Sequence, residues 1–316
     1  MGMNYQKKAI EIMDNVSKVI VGKEDVTKLV LTSLIAGGHV LLEDVPGTGK
    51  TMLAKTVAKS VDAQFSRIQF TPDLLPSDVT GINYYNQKAG EFVFRRGPVF
   101  SNILLADEIN RATPRTQSSL LECMEEHQAT IDGVTMELPD PFFVIATQNP
   151  VESSGTFPLP EAQLDRFIMQ IPMGYPNREG EREILHRFAA DNPLLTLESV
   201  CTKEELAAMR KQCEEVYAAP VIEDYILDLV EATRKHNNIA LGVSPRGALV
   251  FLRAAKCYSA LKGEHFVTPE TVKYLAPFVL SHRLILEDVY STNKKAADYI
   301  EEITHFVTAP TEDFAK

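Results

Sequence analysis

Two short groups of residues in this chain have the types and the order needed to bind and cleave a nucleoside triphosphate. The first is Gly47-Thr48-Gly49-Lys50-Thr51, and the second is the acidic pair Asp107-Glu108. Glycines let successive backbone amides curl around an anion, a lysine reaches the β- and γ-phosphates, and a threonine hydroxyl ligates Mg²⁺. In the acidic pair, Asp107 is expected to hold the water shell of Mg²⁺ and Glu108 to polarise the attacking water. These groups predict a site for ATP and Mg²⁺.

The phosphate loop is predicted to lie between a strand and a helix. His39-Val40-Leu41-Leu42 is a short apolar run typical of a buried strand, and Lys50–Val61 has apolar residues at helical spacing. The first turn of that helix presents free amides and the positive end of its dipole to the same anion. One position departs from the general phosphate-loop pattern, which has glycine where this chain has Asp44. The alternative is an ordinary strand–turn–helix corner with a surface lysine.

Polar residues follow two further apolar runs, which are predicted to be buried strands. Asp107-Glu108 follows Asn102–Ala106, and Asn149 follows Phe142–Thr147. The carboxyl ends of parallel strands meet at one edge of an open sheet, where ligands collect. Asn149 is therefore a candidate contact to the γ-phosphate or to its attacking water. The alternatives are a solvated helix start for the acidic pair and a turn-forming asparagine before Pro150.

The remaining sequence divides into an irregular stretch, a hairpin and a helical half. Residues 71–98 follow no clean period, whereas alternating runs on both sides of Asp132-Gly133 predict a hairpin at 129–137. The apolar turn Val19–Lys23 either packs on an adenine ring or fills core space between two helices. A shift in composition at 172–177 marks a predicted domain boundary. The predicted helices beyond it are 179–191, 203–217, 221–236, 245–262, 269–280 and 294–306.

Composition and charge favour a globular protein that works in the cytoplasm. The chain has 316 residues, of which 45% are hydrophobic and 24% charged, and its net charge is −11. Because non-specific binding to nucleic acid needs many phosphate contacts, an acidic chain without long Lys/Arg runs is a poor candidate for it. Four cysteines without metal-ligand spacing are typical of reduced, buried thiols. There is no signal-peptide core and no apolar stretch of roughly 20 residues, so direct membrane insertion is not expected.

The order of the motifs resembles that of the AAA+ ATPases, and their wording is similar to the MoxR family. Walker A, Walker B, sensor 1, the arginine finger and sensor 2 correspond in order to Lys50, Asp107-Glu108, Asn149, Arg166 and Ser244-Pro245-Arg246. The stretches that carry the likeness to MoxR proteins are Leu42–Thr51, Leu105–Ala112, Ala146–Pro150 and Phe157–Phe167. In that family Asp44 is usual, and the resemblance covers about residues 5–310.

The resemblance implies an α/β fold with two domains. The first is a AAA+ phosphate-loop NTPase core, in which a five-stranded parallel sheet of order 5-1-4-3-2 lies in an αβα sandwich. The second is an all-α C-terminal lid. The core is expected at residues 1–174 and the lid at residues 175–316. A helix-2 insert at about 80–96 and a pre-sensor-1 hairpin at about 129–138 are expected to face the pore or top of a hexameric ring.

The resemblance also implies which residues form the site. Val21 and Gly22 are expected beside the adenine, and Thr51 and Asp107 are expected to hold Mg²⁺. The loop residues expected to contact the nucleotide are Val45, Pro46, Gly47, Thr48, Gly49, Lys50, Thr51 and Met52. The residues assigned to catalysis are Lys50, Glu108, Asn149, Arg166 and Arg246.

The two arginines are expected to reach the γ-phosphate from different places. Arg166 is expected to reach the ATP of a neighbouring subunit, and Arg246 is expected to act on the γ-phosphate from the lid. A planar guanidinium neutralises the charge that builds on the γ-phosphoryl oxygens. The alternative for Arg166 is a local bridge to Asp165 or Glu161. The alternative for Arg246 is an ordinary position at a helix N-terminus, although a cation there opposes the helix dipole.

The implied activity is MoxR-type ATP hydrolysis with Mg²⁺ that remodels or activates client proteins in a chaperone-like way. The implied partners are copies of the same chain in a hexameric ring and client proteins with von Willebrand factor A domains. The alternatives are a nucleic-acid-dependent AAA+ motor, which the acidic charge disfavours, and a low-turnover nucleotide-gated scaffold, which Glu108 and Asn149 disfavour. The arginines left open between a subunit contact and a local role are Arg95, Arg96, Arg111 and Arg283.

Overall fold

The computed structural model describes residues 5–43, 47–149, 155–190, 192–287 and 294–311. The strands are β1 (His39–Glu43), β2 (Phe65–Gln69), β3 (Gly81–Asn86), β4 (Glu91–Arg96), β5 (Ile103–Asp107), β6 (Gln128–Ile131), β7 (Val134–Glu137), β8 (Phe143–Gln148), β9 (Phe167–Pro172), β10 (Ile239–Leu241) and β11 (Ile285–Leu286). The helices are α1 (Tyr5–Ser17), α2 (Glu24–Ile35), α3 (Lys50–Ser60), α4 (Pro76–Thr80), α5 (Pro114–Glu126), α6 (Glu161–Leu164), α7 (Arg178–Ala190), α8 (Pro193–Thr196), α9 (Lys203–Glu214), α10 (Pro220–Lys235), α11 (Pro245–Lys262), α12 (Pro269–Leu280) and α13 (Ala296–Phe306).

The centre of the fold is a five-stranded parallel sheet with the order β2-β5-β8-β1-β9. Counted along the chain, these strands are the second, third, fourth, first and fifth of the sheet. Read from β9, the order is therefore 5-1-4-3-2, which confirms the expected topology. Because all strands are parallel, their carboxyl ends lie at one edge of the sheet and their amino ends at the other.

The central strands are apolar along their whole length because both faces of the sheet are covered by helices. In β1, Val40 and Leu42 belong to one hydrophobic cluster, whereas Leu41 between them belongs to a second cluster on the opposite face. In β5, Leu105 and Leu104 divide in the same way. The period of two along a strand therefore supplies both layers of the αβα sandwich.

Two antiparallel hairpins project from the helical layers. β3 pairs with β4 within the stretch that has no clean period in the sequence, and β6 pairs with β7 about Asp132-Gly133, as the alternation predicts. The two hairpins touch, since Asn83 Nδ2 donates to Asp132 Oδ2 at 2.8 Å. At the base of the first hairpin, the Arg96 guanidinium lies 5.5 Å from the centre of the Phe100 ring. This contact gives Arg96 a local role.

From Arg178 onward the structure is helical, apart from the two-stranded sheet of β10 and β11. The C-terminal helices do not form a separate core, because α11 packs against α1 and α2 as well as against α9 and α12. One hydrophobic cluster consequently runs from the sheet into the lid. All four cysteines are buried free thiols. None of the helices among the described residues is long and apolar enough to cross a membrane.

The first residue of β1, His39, is buried with both ring nitrogens engaged. Its Nδ1 accepts the Val144 amide at 3.0 Å, which leaves Nε2 to donate to the Met124 carbonyl, 3.1 Å away. This arrangement requires the neutral imidazole. Burial, assisted by nearby His127 and Arg253, lowers the pKa of His39 from 6.5 to about 4.

We expect His39 to make folding stability depend on pH between 6.5 and 4. The folded state resists protonation until about pH 4, whereas the unfolded chain takes up the proton near 6.5. The contribution is therefore complete above pH 6.5 and is lost as the pH falls, by about 3 kcal/mol in total. Urea unfolding of wild type and His39→Gln at pH 7.5 and pH 4 measures this contribution. The difference between their free energies of unfolding should be smaller at pH 4 than at pH 7.5. An unchanged difference would contradict the assignment.

Candidate functional site

A cavity of about 520 Å³ lies at the carboxyl edge of the sheet. It collects the residues that follow or end four strands, together with the start of α3. Its lining consists of Gly47, Gly49, Lys50, Thr51, Met52, Lys55, Arg67, Gln69, Asp107, Glu108, Gln148, Asn149, Asn192 and Leu194. The structure therefore brings together the lysine, the threonine, the acidic pair and the asparagine that the sequence singled out.

The phosphate loop has the backbone that its glycines suggest. Gly47 has φ +88° and Gly49 has φ +94°, and a Cβ atom at either position would meet nothing within 4 Å. Conformation rather than space therefore requires glycine at both positions. Gly49 caps α3, whose first residues Lys50 and Thr51 line the cavity. The residues Asp44, Val45 and Pro46 lie outside the described residues.

The Asp107-Glu108 pair is held by a threonine from the neighbouring strand. Thr147 Oγ1 accepts the Glu108 amide at 2.8 Å and donates to Asp107 Oδ1 at 2.7 Å. Glu108 has φ +55°, which is unusual for a residue other than glycine. The Thr147 hydroxyl satisfies the amide in this turn, so the left-handed backbone at Glu108 has a specific support.

Strand β2 supplies two further side chains that contact the acidic pair. Arg67 Nη2 donates to Asp107 Oδ2 at 2.7 Å, and Gln69 Nε2 donates to Glu108 Oε2 at 2.7 Å. Arg111 Nη1 lies 3.3 Å from the same Glu108 oxygen, which gives Arg111 a local role in this site. Side-chain donors of the protein itself therefore orient both carboxylates.

The cavity has the donors that Mg²⁺ requires. Thr51 and Asp107 face the same space, and hydroxyl and carboxylate oxygens are the hard ligands that this ion prefers. Asp107 already pairs with the Arg67 cation, so its carboxylate stands in a position that accommodates positive charge. Among the described residues there is no group of three or more His, Cys, Asp or Glu side chains that could hold a metal by themselves. Thr51 and Asp107 thus fit an ion that takes its other ligands from phosphate and water.

A second, mainly apolar cavity of about 600 Å³ adjoins the first and shares Gly47, Gly49 and Met52 with it. Its other lining residues are Val19, Ile20, Val21, Lys23, Thr48, Met173, Tyr175, Pro176, Glu181, Ile184, Leu185 and Phe188. An apolar slot next to a phosphate loop fits a purine ring. Val21 lies in this lining, whereas Gly22 forms the turn before α2 with φ +65°.

Arg166 and Arg246 lie at the opposite edge of the sheet. Arg166 immediately precedes β9, and its Nε is 3.8 Å from Glu125 Oε2. Arg246 Nη2 is 2.5 Å from the same oxygen. Glu125 follows Met124, whose carbonyl contacts His39 at the amino end of β1. The two arginines therefore share one carboxylate at the amino edge.

Arg246 therefore lies far from the phosphate loop of its own chain, and its expected action on a γ-phosphate stays a prediction. A six-residue strand such as β9 spans roughly 17 Å, and the phosphate loop lies at its far end. Arg246 is absent from the lining of the cavity that holds Lys50. The physical reason is that α11 packs beside α1, α2 and α9 and carries the start of the helix to the amino edge.

Glu125 is ionised by its arginine partners. The hydrogen bond from Arg246 lowers the pKa of Glu125 below its ordinary value, and the charge of Arg166 acts in the same direction. Burial opposes this shift, since removing a carboxylate from water disfavours its charged form. The guanidinium of Arg246 is stabilised in turn, and its pKa is raised. The carboxylate that Arg166 approaches is Glu125, and not Asp165 or Glu161 as the alternative had it.

Comparison with known proteins places this site within a family. The family model described as "ATPase family associated with various cellular activities (AAA)" matches residues 39–169, and an AAA lid domain model matches residues 231–303. Chaperone MoxR1 of Mycobacterium tuberculosis is 42% identical over 86% of this chain and 74% of its own length. The chain belongs to the MoxR family of AAA+ ATPases.

Two further relatives cover almost the whole chain. The protein YeaC of Bacillus subtilis is 50% identical over 95% of this chain and 94% of its own length. The crystal structure of a presumptive ATPase from Cytophaga hutchinsonii superposes with a TM-score of 0.91 at 41% identity, covering 97% of this chain and 96% of that one. The AAA+ core and its lid are therefore shared along the chain, and nucleotide binding follows from the family.

Sequence reasoning missed several residues of this MoxR-type site. Arg67 and Gln69 alternate with the buried Ile68, so the period of β2 signals that they share a face, but not what they contact. Glu125 and Thr147 gave no signal, because each lies within an element that reads as ordinary core. Their partners stand about 40 residues or more away in the chain, as with Thr147 and Asp107.

We expect Thr147→Val to damage this site although valine has nearly the same shape. Without the hydroxyl, the Glu108 amide loses its acceptor and Asp107 Oδ1 loses a donor, which costs about 1–3 kcal/mol of stability. We also expect phosphate release to fall by roughly 10²-fold, since small misplacements of catalytic groups have effects of that size. Urea unfolding and steady-state ATPase assays measure the two effects, with Thr147→Ser as the matched control. Wild-type behaviour of the valine variant in both assays would contradict the proposed support.

Proposed function

We propose that this protein hydrolyses ATP with Mg²⁺ and uses the turnover to remodel or activate client proteins. Lys50 and the loop amides bind the phosphates, Thr51 and Asp107 hold the ion, and Glu108 polarises the attacking water beside Asn149. The observation that carries the proposal is the convergence of these side chains on one cavity of about 520 Å³ at the carboxyl edge of the sheet. When bound, Mg²⁺ neutralises charge on the phosphates. Adenine occupies the adjoining apolar cavity beside Val21.

The active assembly is a ring in which each nucleotide lies between two copies of the chain. Arg166 and Arg246 lie at the amino end of β9, and the phosphate loop lies beyond its other end. Because a six-residue strand spans roughly 17 Å, neither side chain reaches the phosphates bound by its own chain. Both lie on one surface, next to Glu125. In a head-to-tail ring, this surface faces the cavity of the next copy. We propose a hexamer, in which both arginines serve the neighbouring nucleotide.

The client is a protein, and we propose that it carries a von Willebrand factor A domain. One named relative is a chaperone. The hairpin of β3 and β4 carries exposed aromatic side chains, with Tyr85 54% and Phe92 74% exposed. Solvent-exposed aromatic groups are typical of surfaces that bind other proteins. We propose this insert and the β6–β7 hairpin as the surfaces that move against the client.

The remaining features of the proposal follow the sequence. We keep residues 1–174 as the core and 175–316 as the lid, since the last strand of the sheet ends at Pro172 and helices follow from Arg178. We place the protein in the cytoplasm, where free thiols such as its four cysteines persist. The net charge of −11 supports a protein client over a nucleic acid.

We expect Glu108→Gln to abolish turnover while ATP affinity stays near the wild-type value. The amide is isosteric but does not accept a proton or polarise water, so the rate falls by roughly 10²–10⁴-fold. Steady-state phosphate release and equilibrium binding of ATP measure the two quantities, and Glu231→Gln on the exposed face of α10 is the matched control. The Glu108→Gln protein in ATP should also retain its client in a pull-down.

Two results would overturn the proposal. Equal, near-zero turnover of wild type and Glu108→Gln at ring-forming concentrations favours a nucleotide-gated scaffold. A several-fold stimulation of the ATPase by DNA or RNA at physiological salt favours a nucleic-acid motor.

A further inference from the structure

A buried arginine of the lid, Arg283, holds the chain segment on both sides of Arg166. Its side chain is only 2% exposed, in the turn that follows α12. Arg283 Nε donates to Asp165 Oδ1 at 2.7 Å, and Nη2 donates to the Asp165 carbonyl at 3.3 Å. Nη2 also donates to the Phe167 carbonyl at 2.7 Å. The residues directly before and after Arg166 are thus bound by one guanidinium.

The lid is built to fix this guanidinium. Nη1 donates to the Val279 carbonyl of α12 and lies 2.6 Å from His282 Nε2. Burial and the adjacent Arg283 charge lower the pKa of His282 well below its ordinary value, so the imidazole is neutral beside the cation. With four partners around a planar fork, Arg283 has one orientation.

The helix that carries Arg246 contributes to the same arrangement. Ser244 caps α11 and its Oγ lies 3.4 Å from Asp165 Oδ2. A Cβ atom on Gly247 would stand 2.5 Å from Val243 Cγ1 and 3.1 Å from Arg283 Cδ, so glycine leaves room for both side chains. The start of α11 therefore contacts Asp165 and Arg283 and also places Arg246 beside Glu125.

We propose that Arg283 is a positioning residue that sets Arg166 for the neighbouring nucleotide and so transmits the orientation of the lid to the arginine finger. It touches no part of its own nucleotide cavity. A shift of the lid moves the Arg283 guanidinium. Because this group is hydrogen-bonded to Asp165 and Phe167, the segment that contains Arg166 moves with it. This inference rests on the proposed function, in which Arg166 acts across the subunit interface.

The proposal predicts a defect that another copy of the chain can repair. Arg283→Lys keeps the charge but loses the fork that binds Asp165 and Phe167 together. We expect kcat to fall by roughly 10²-fold, because small displacements of a catalytic group have effects of that size. The KM for ATP stays unchanged, since the nucleotide cavity of the variant is intact. Lys235→Gln, which removes an exposed lid charge on α10, is the control and retains wild-type turnover.

Mixed assemblies separate positioning from general damage. Lys50→Ala disables the nucleotide cavity but leaves the surface around Arg166 and Arg246 intact. Arg283→Lys leaves the nucleotide cavity intact but disturbs that surface. Lys50→Ala alone is inactive and Arg283→Lys alone keeps roughly a hundredth of wild-type turnover. An equimolar mixture recovers far more, because a head-to-tail ring gives roughly one productive interface in four. The mixture of Arg166→Ala with Lys50→Ala recovers equally. The mixture of Arg166→Ala with Arg283→Lys stays at or below the low turnover of Arg283→Lys alone, because both changes lie on the same surface.

Each failure has its own signature. Wild-type turnover by Arg283→Lys, or no recovery with Lys50→Ala while the Arg166→Ala mixture does recover, overturns the positioning role. If the mixture of Arg166→Ala with Lys50→Ala does not recover, Arg166 does not act across the subunit interface. If wild type has no ATPase activity, the proposed function is wrong. Either result overturns this inference as well. If Arg283→Lys fails to fold, Asp165→Asn, which keeps the side-chain shape and removes the ionic partner, takes its place in the same mixtures.

Discussion

The parallel direction of the five central strands is the constraint on which the rest of the structure depends. Since every carboxyl end lies at one edge, the loop before α3, the end of β5 and the end of β8 converge without any further device. The same geometry sends the starts of β1 and β9 to the other edge, with Glu125 and Arg166 beside them. In this chain the phosphate loop and the two arginines Arg166 and Arg246 consequently lie on opposite sides of the sheet.

Each edge of the sheet brings side chains of like charge close together. At the carboxyl edge, Asp107 and Glu108 are adjacent acids, and Arg67, Gln69 and Thr147 supply donors that orient them. At the amino edge, Arg166 and Arg246 are adjacent cations, and Glu125 lies between them. Like charges packed together repel, and a partner of opposite charge beside them offsets that repulsion.

Long apolar runs and capping residues made much of the fold predictable. The runs that became β1, β5 and β8 are buried on both faces, so their hydrophobicity is continuous and easy to recognise. The predicted starts of α11 at residue 245 and α12 at residue 269 are confirmed, and there Ser244 and Thr268 accept backbone amides. The short β10 and β11 strands were missed, because segments of two or three residues carry no period.

The sequence by itself determined the phosphate loop, the acidic pair, the asparagine after β8 and their family, because these features are local in the chain and their order is specific. Only the tertiary structure decided where the arginines lie. Arg246 was expected at a γ-phosphate, and the packing of α11 against α1, α2 and α9 places it beside Glu125, away from the phosphate loop of its own chain. Arg67 with Asp107 and Arg283 with Asp165 were likewise invisible, since 40 and 118 residues separate the partners. The physical reason is that a charge pair depends on where side chains meet in space, which no local pattern records.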